Sequence, residues 1–453
     1  MNNLSSFQPK VESRIDFKKW IGTILVMLIV SMYFFPFTFS ALPSQNTKNL
    51  MAGLGLIFIL MTYVYKRDFT IPLGLLTIFL ISGCVSIISL ISITYNQTPD
   101  ISYVTFIRST AIWISSSFVV AFFIWLIHRR IDVELIIHYL VAVCVFQCAA
   151  AMLIAYIPAV KFFVDAHVQQ GQAILDELGR LYGIGASLDV AGCRFAVVLV
   201  CMAVLIDKNK ENWSRSSLVL YILAFVIITV IGNMIARTTL VGAVLALVFL
   251  LVKFVHSILL QESHKSGRMI GMWLSVLAIT VPLGIILFQS SELFNDMIRF
   301  GFEGFFSFFE SGEFETDSTE KLKSMIVWPE EIRTWIIGDG YFENSRNDIN
   351  YLGDATDRGF YMGTDIGYLR FIFYFGLIGL LTISSLVVYS AYICANNNPE
   401  YRTLFILAAA INFIIWMKVA SDILSFFYLF ICATSIQQVF MVEEEEEEEE
   451  LEE

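Results

Sequence analysis

The sequence predicts an all-α polytopic membrane protein of about twelve transmembrane helices, with a large, partly helical loop between the ninth and tenth. Apolar residues make up 57% of the chain and charged residues only 15%, outside the range of soluble domains. Apolar windows of about twenty residues recur from Trp20 to Phe440, each long enough to cross a hydrocarbon core of about 30 Å. The chain lacks the alternating segments of about ten residues that would announce a membrane β-barrel.

The expected spans run near 20–42, 49–65, 71–95, 101–127, 133–157, 187–206, 216–234, 238–256, 269–289, 366–393, 402–418 and 422–440. They divide the chain into a cytoplasmic segment 1–19, helices over 20–289, a large loop 290–365, helices over 366–440 and an acidic tail 441–453. The first span is longer than a signal-peptide core and follows a basic head, so it reads as a signal anchor. Cations cluster in every second connection: Lys18 and Lys19, Lys66 and Arg67, Arg129 and Arg130, Lys208 and Lys210, Lys253, then Arg402. The positive-inside rule then places both termini in the cytoplasm. The connections 158–186 and 290–365 face outward, into the periplasm if the membrane is a Gram-negative inner membrane.

The formal charge of −12 comes almost entirely from the terminal glutamates, a low-complexity run that composition reads as disordered. Nothing suggests a nucleic-acid partner. The seven cysteines lie in or beside apolar spans, so no disulfide framework is expected. His128, His138, His167, His256 and His264 show no metal-ligand spacing, and no cofactor is expected.

The informative cations are arginines at the outward ends of spans. Arg108 is expected about two turns into the fourth span, Arg194 similarly deep in the sixth, Arg237 at the opening of the eighth and Arg370 one turn into the tenth. Arg180 sits in the outer connection near Asp176 and Glu177. Each is open to a snorkelling or ion-pair reading. Together, with Asp189, Asp365 and Asp422 the few acids at this depth, they form a cationic set suited to a diphosphate, whose oxygens match the planar guanidinium fork.

The large loop opens with Phe300, Phe302, Phe305, Phe306, Phe308 and Phe309 among glutamates, the composition of an interfacial helix. Beyond it Trp328, Trp335, Tyr341, Tyr351, Phe360 and Tyr361 alternate with Asp339, Glu343, Asn344, Arg346, Asp348 and Asp354. Aromatic faces beside hydrogen-bonding groups suit sugar rings, and they equally suit the core of a small domain. Trp335, Tyr341, Tyr361 and Tyr368 are the glycan-binding candidates.

Three ordered pieces resemble the O-antigen polymerase and O-antigen ligase superfamily, bacterial membrane glycosyltransferases of the GT-C type. The first is Arg180-Leu-Tyr-Gly183, and the second Gly232-Asn-Met-Ile-Ala-Arg237-Thr-Thr-Leu-Val-Gly242. The third joins Trp335-Ile-Ile-Gly338-Asp-Gly340, Thr364-Asp365-Ile-Gly367 and Phe375-Gly376-Leu-Ile-Gly379. The resemblance spans Arg180 to Gly379. It implies inverting, metal-independent transfer of a glycan from undecaprenyl diphosphate to a sugar hydroxyl on the periplasmic side. It also implies lipid-linked donor and acceptor oligosaccharides in the bilayer as partners, with a possible chain-length regulator. The ligase branch carries a histidine near the position of Asp365; Thr364-Asp365 stands here, which favours the polymerase branch. Arg237 is expected to act in catalysis on the leaving diphosphate, with Arg108, Arg180, Arg194 and Arg370 beside it. Asp365 is expected to accept or orient the proton of the attacking hydroxyl, or to be an ion-pair partner of Arg370 or Arg237. A ligase acting on lipid A–core and a flippase of lipid-linked sugar are the competing readings. A flippase predicts broken helices in repeated halves.

Overall fold

A computed structural model describes residues 17–66, 72–172, 175, 179–259, 263–313, 316–343 and 359–452. Asp176, Glu177, Asn344, Arg346, Asp348, Tyr351 and Asp354 lie outside them. Among the described residues the chain is almost wholly helical, with one antiparallel two-stranded pairing, Thr38–Phe39 on Val168–Gln169.

Among the described residues nine helices are long and apolar enough to cross a membrane. Of these, α2 (Thr47–Lys66), α3 (Leu73–Asn96), α4 (Phe106–His128) and α5 (Val133–Tyr156) precede the short α6 (Pro158–His167). Then come α7 (Leu188–Asn209), α8 (Arg215–Ile235), α9 (Thr239–Leu259) and α10 (Ser263–Ser290). The ninth, α15 (Gly367–Asn397), follows the large loop. Three further apolar helices stand where spans were expected: α1 (Phe17–Phe34), α16 (Arg402–Ile415) and α17 (Leu424–Glu452). The first expected span, 20–42, is cut short, because the chain leaves the helix at Phe34 before Pro36 and turns into the small strand pairing. The fourth starts at Phe106 and not near 101. The last helix continues through the acidic run, where composition argued against regular structure; glutamate is itself a good helix former.

Burial identifies the axis of the bundle. In α7, 89% of the spanning window is buried, against 6% in the part of α10 from Trp273 to Ser290. α7 packs on α9, α8, α16 and α5, while α4 packs on α2 and α17, and α3 on α15. Among the described residues four short helices lie in the loop: α11 (Glu292–Gly301), α12 (Glu303–Ser311), α13 (Asp317–Ser324) and α14 (Ile332–Ile337). Phe308 and Phe309 on α12 are exposed, and Phe306 stacks on Phe288 of α10.

The loop is anchored to the bundle by an interrupted helix. α15 breaks at Phe375–Gly376, where Gly376 takes φ 68°. A break strands carbonyls that, at membrane depth, each cost several kcal/mol unless paired. Here they are paired by the Gly338-Asp339-Gly340 turn: Asp339 N–H donates to Phe373 O at 2.6 Å and Gly340 N–H to Tyr374 O at 3.2 Å. Ser92 Oγ on α3 also donates to Tyr374 O, at 2.7 Å. A Cβ on Gly376 would run into the Ile336 carbonyl of α14, so glycine is required there for both backbone angle and space. The connection between α3 and α4 adds a clasp, since Asp100 accepts from the N–H groups of Phe342 and Glu343.

Candidate functional site

The site is at the loop-side end of the bundle, where α7, α9, α15 and the turn between α16 and α17 converge. Asp365 precedes the first residue of α15 and Arg370 is in its first turn, so the two side chains meet: Arg370 donates to Asp365 Oδ1 at 3.2 Å. The Arg370 guanidinium also donates to Phe342 O and lies 3.7 Å from the Phe342 ring and 4.5 Å from that of Phe360. Asp365 keeps 23% side-chain exposure. Desolvation raises its carboxyl to about 6 against the opposing pull of Arg370.

Beside this pair lies a second one. Lys418, after the last turn of α16, is 2.7 Å from Asp189 on α7, and Thr238 donates to the same carboxylate oxygen. Asp189 and Lys418 both act electrostatically on Asp365. Next to Thr238, Arg237 reaches the other way: Nη2 is 2.5 Å from Glu303, Nε donates to Phe300 O at 2.9 Å, and the guanidinium lies 4.1 Å from the Phe300 ring. Arg180 covers the same ring at 5.0 Å. Arg237, Thr238, Glu303 and Lys418 line a cavity of about 250 Å³ whose other walls include Leu240, Val241, Phe302, Phe305, Leu322 and Met417.

Arg194, deeper on α7, is only 8% exposed and is surrounded by the rings of Phe34, Phe35 and Trp113 at 5.7–5.9 Å. Asp422, in the turn before α17, keeps solvent access and acts on Arg194. Tyr103 lies between the two halves of the site, within the fields of both Asp422 and Arg370.

Several expectations change. Arg108 is exposed and lies on the first turn of α4, not two turns in, because that helix starts at Phe106. Arg237 and Arg370 carry their own carboxylates, Glu303 and Asp365, so the cations are not an uncompensated set. Tyr341 and Tyr361, exposed to 1% and 2%, stack at 5.2 Å in a small core with Leu369 and Phe373, leaving no ring face for a sugar. Asp339 accepts from Thr334 and from the Tyr361 hydroxyl, which fixes the loop turn; desolvation raises its carboxyl. Trp335 is half-buried, stacked on exposed Trp328 and bonded to Pro329 O. Tyr368 is half-buried, with its hydroxyl on Phe413 O and its ring against Trp416.

Lys48 and Glu303 were missed. Lys48 had a readable signal, a lone lysine opening a span at the end away from the basic connections. Glu303 had none, because its partner is distant in sequence. Among the described residues no three His, Cys, Asp or Glu side chains group as a metal site would. Compared with family models, with characterised proteins and with solved structures, the chain shows no match.

Proposed function

We propose that the protein is a membrane glycosyltransferase that lengthens a lipid-linked polysaccharide, moving the growing glycan from a polyprenyl diphosphate onto a sugar hydroxyl of another lipid-linked repeat. The observation that carries the reading is Asp365. It is a partly accessible carboxyl with proton affinity near neutrality, held by Arg370 at the junction of a large polar loop and a membrane helix, beside Lys418 and Arg237. The ordered resemblance of Arg180–Gly183, Gly232–Gly242 and Trp335–Gly379 to the O-antigen polymerase and ligase superfamily supplies the substrate class.

In this reaction the acceptor hydroxyl oxygen bonds to the anomeric carbon from the face opposite the leaving group, inverting it. The bond from that carbon to the diphosphate oxygen breaks, and its electron pair leaves with the lipid diphosphate. The hydroxyl proton passes to the Asp365 carboxylate, which must be ionised to take it. Charge grows on the diphosphate, so fixed cations at that point lower the barrier. Arg237, Arg194, Arg370 and Arg180 are the candidates; Arg108 is set aside by its exposure. The ligase reading differs in its acceptor.

The test uses purified protein in lipid with lipid-linked repeat units as sole substrate. A polymerase yields longer chains and a ligase yields none. Arg237→Ala is expected to abolish lengthening at unchanged membrane insertion; full-length polymer from that variant removes Arg237 from the mechanism.

A further inference from the structure

Four of the five arginines singled out in the sequence are satisfied or exposed, and one is neither. Arg237 has Glu303, Arg370 has Asp365, Arg180 is half-exposed over Phe300 and Arg108 is exposed. Arg194 is more than nine-tenths buried, its guanidinium nitrogens are not among the fully buried ones, and among the described residues it forms no hydrogen bond or ion pair. A buried charge without such a partner is strongly destabilising. Aromatic faces return only part of that cost.

A second cation shares the place. Lys48, the second residue of α2, sits 4.6 Å above the Trp113 ring, and Arg194 lies 5.9 Å from the same ring. The two charges are close enough to repel. Lys48 likewise has no carboxylate within ion-pair distance among the described residues; its backbone carbonyl is fixed by Ser116 Oγ at 2.8 Å. Asp422 acts on both cations from beyond that distance, leaving a net positive charge. Two unpaired cations, half-buried Lys48 on α2 and buried Arg194 on α7, that both lie within 6 Å of one indole are the arrangement expected of an anion-binding site.

We propose that Lys48 and Arg194 together bind a phosphate or diphosphate oxyanion, with Trp113 as the floor of the site. Given the function proposed above, on which this assignment of the ligand rests, the oxyanion is the diphosphate of a lipid-linked glycan. It is bound about 8 Å further along α7 than Asp189, at 1.5 Å per residue. Arg237 then serves the mouth of the site, where Glu303 and the Phe300 carbonyl already occupy its nitrogens.

The experiment measures binding of two probes, inorganic pyrophosphate and geranylgeranyl diphosphate, to the full chain in lipid nanodiscs. The readouts are thermal stabilisation and tryptophan fluorescence, with Trp113→Phe marking the local signal. Lys48→Gln and Arg194→Gln are each expected to weaken binding about tenfold or more, the effect of losing one charge-assisted contact. Arg402→Gln is expected to leave it unchanged. Tighter binding of the isoprenyl probe assigns the oxyanion to a lipid headgroup, and equal binding assigns it to free phosphate; both support the site. Wild-type affinity for both probes in both variants overturns it. If Arg194→Gln does not fold, Lys48→Gln decides alone.

The two readings separate cleanly. If the wild type fails to lengthen lipid-linked repeats while Lys48→Gln still abolishes probe binding, the polymerase reading falls and the anion site stands. If the wild type lengthens them and both variants match it in rate and affinity, the site falls and the reading stands.

Discussion

The backbone N–H of Asp339 donates to the carbonyl of Phe373 at 2.6 Å, joining the loop turn to the interrupted helix. The bond pairs one of the carbonyls freed at Phe375–Gly376, so the break is stable only while the loop is docked. The docked turn in turn positions Asp365, just before the same helix, and Arg370, in its first turn.

Replacing Gly376 is therefore expected to unfold the site. At φ 68° a side chain costs about 1–2 kcal/mol on backbone grounds, and the Ile336 carbonyl leaves no room for a Cβ. Gly376→Ala should lower the melting temperature and the yield of monodisperse protein. Gly53→Ala, on α2 with nothing near its Cβ, should be neutral or stabilise by about 0.5–1 kcal/mol.

The Asp365 carboxyl sets a pH dependence. A proton acceptor works only when ionised, so lengthening should rise with pH through about 6 and level off above it. Asp365→Asn should give a low, flat profile. The folded chain binds this proton more tightly than the unfolded chain. Its contribution to stability therefore falls as pH rises from the ordinary 3.8 towards about 6, over the same interval in which activity grows. An unchanged rising limb in Asp365→Asn would assign the proton to another group.

Lys418 and Asp189 should behave as a pair. Removing one charge leaves the other uncompensated, and with side chains 34% and 23% exposed the cost should be about 1–3 kcal/mol, below that of a fully buried pair. Lys418→Met with Asp189→Leu should be closer to wild type than Lys418→Met alone. A thermal-unfolding double-mutant cycle measures the difference, and simple additivity would show that the two do not interact.

The loop aromatics should separate by role. Tyr341→Ala removes a buried ring and should destabilise the fold by about 3–5 kcal/mol. Trp328 is 61% exposed, so Trp328→Ala should leave the melting temperature almost unchanged. Any effect of that variant on glycan affinity reports sugar contact by the Trp328–Trp335 stack, and thermal unfolding beside carbohydrate binding distinguishes the two cases.

Much of the architecture was legible because membrane helices are local objects. A run of apolar residues about 30 Å long needs no partner to be recognised, so α2 to α5, α7 to α10 and α15 stand near their expected places. The Gly338–Gly379 stretch was also readable, since glycines flanking a charged turn and a helix start mark constrained backbone. Its mode of assembly was not, because nothing local says that Gly338-Asp339-Gly340 pairs with Phe373 and Tyr374.

By itself the sequence determined the class of protein and most of its long apolar helices, and it supplied the arginines and Asp365 as candidate site residues. Only the tertiary structure decided which charges are already spent. Arg237 meets Glu303 and Lys418 meets Asp189 across contacts between segments distant in the chain, while Arg194 and Lys48 are left facing one indole. Charge pairing depends on separation in space and on local dielectric, and neither quantity is encoded by spacing along the chain.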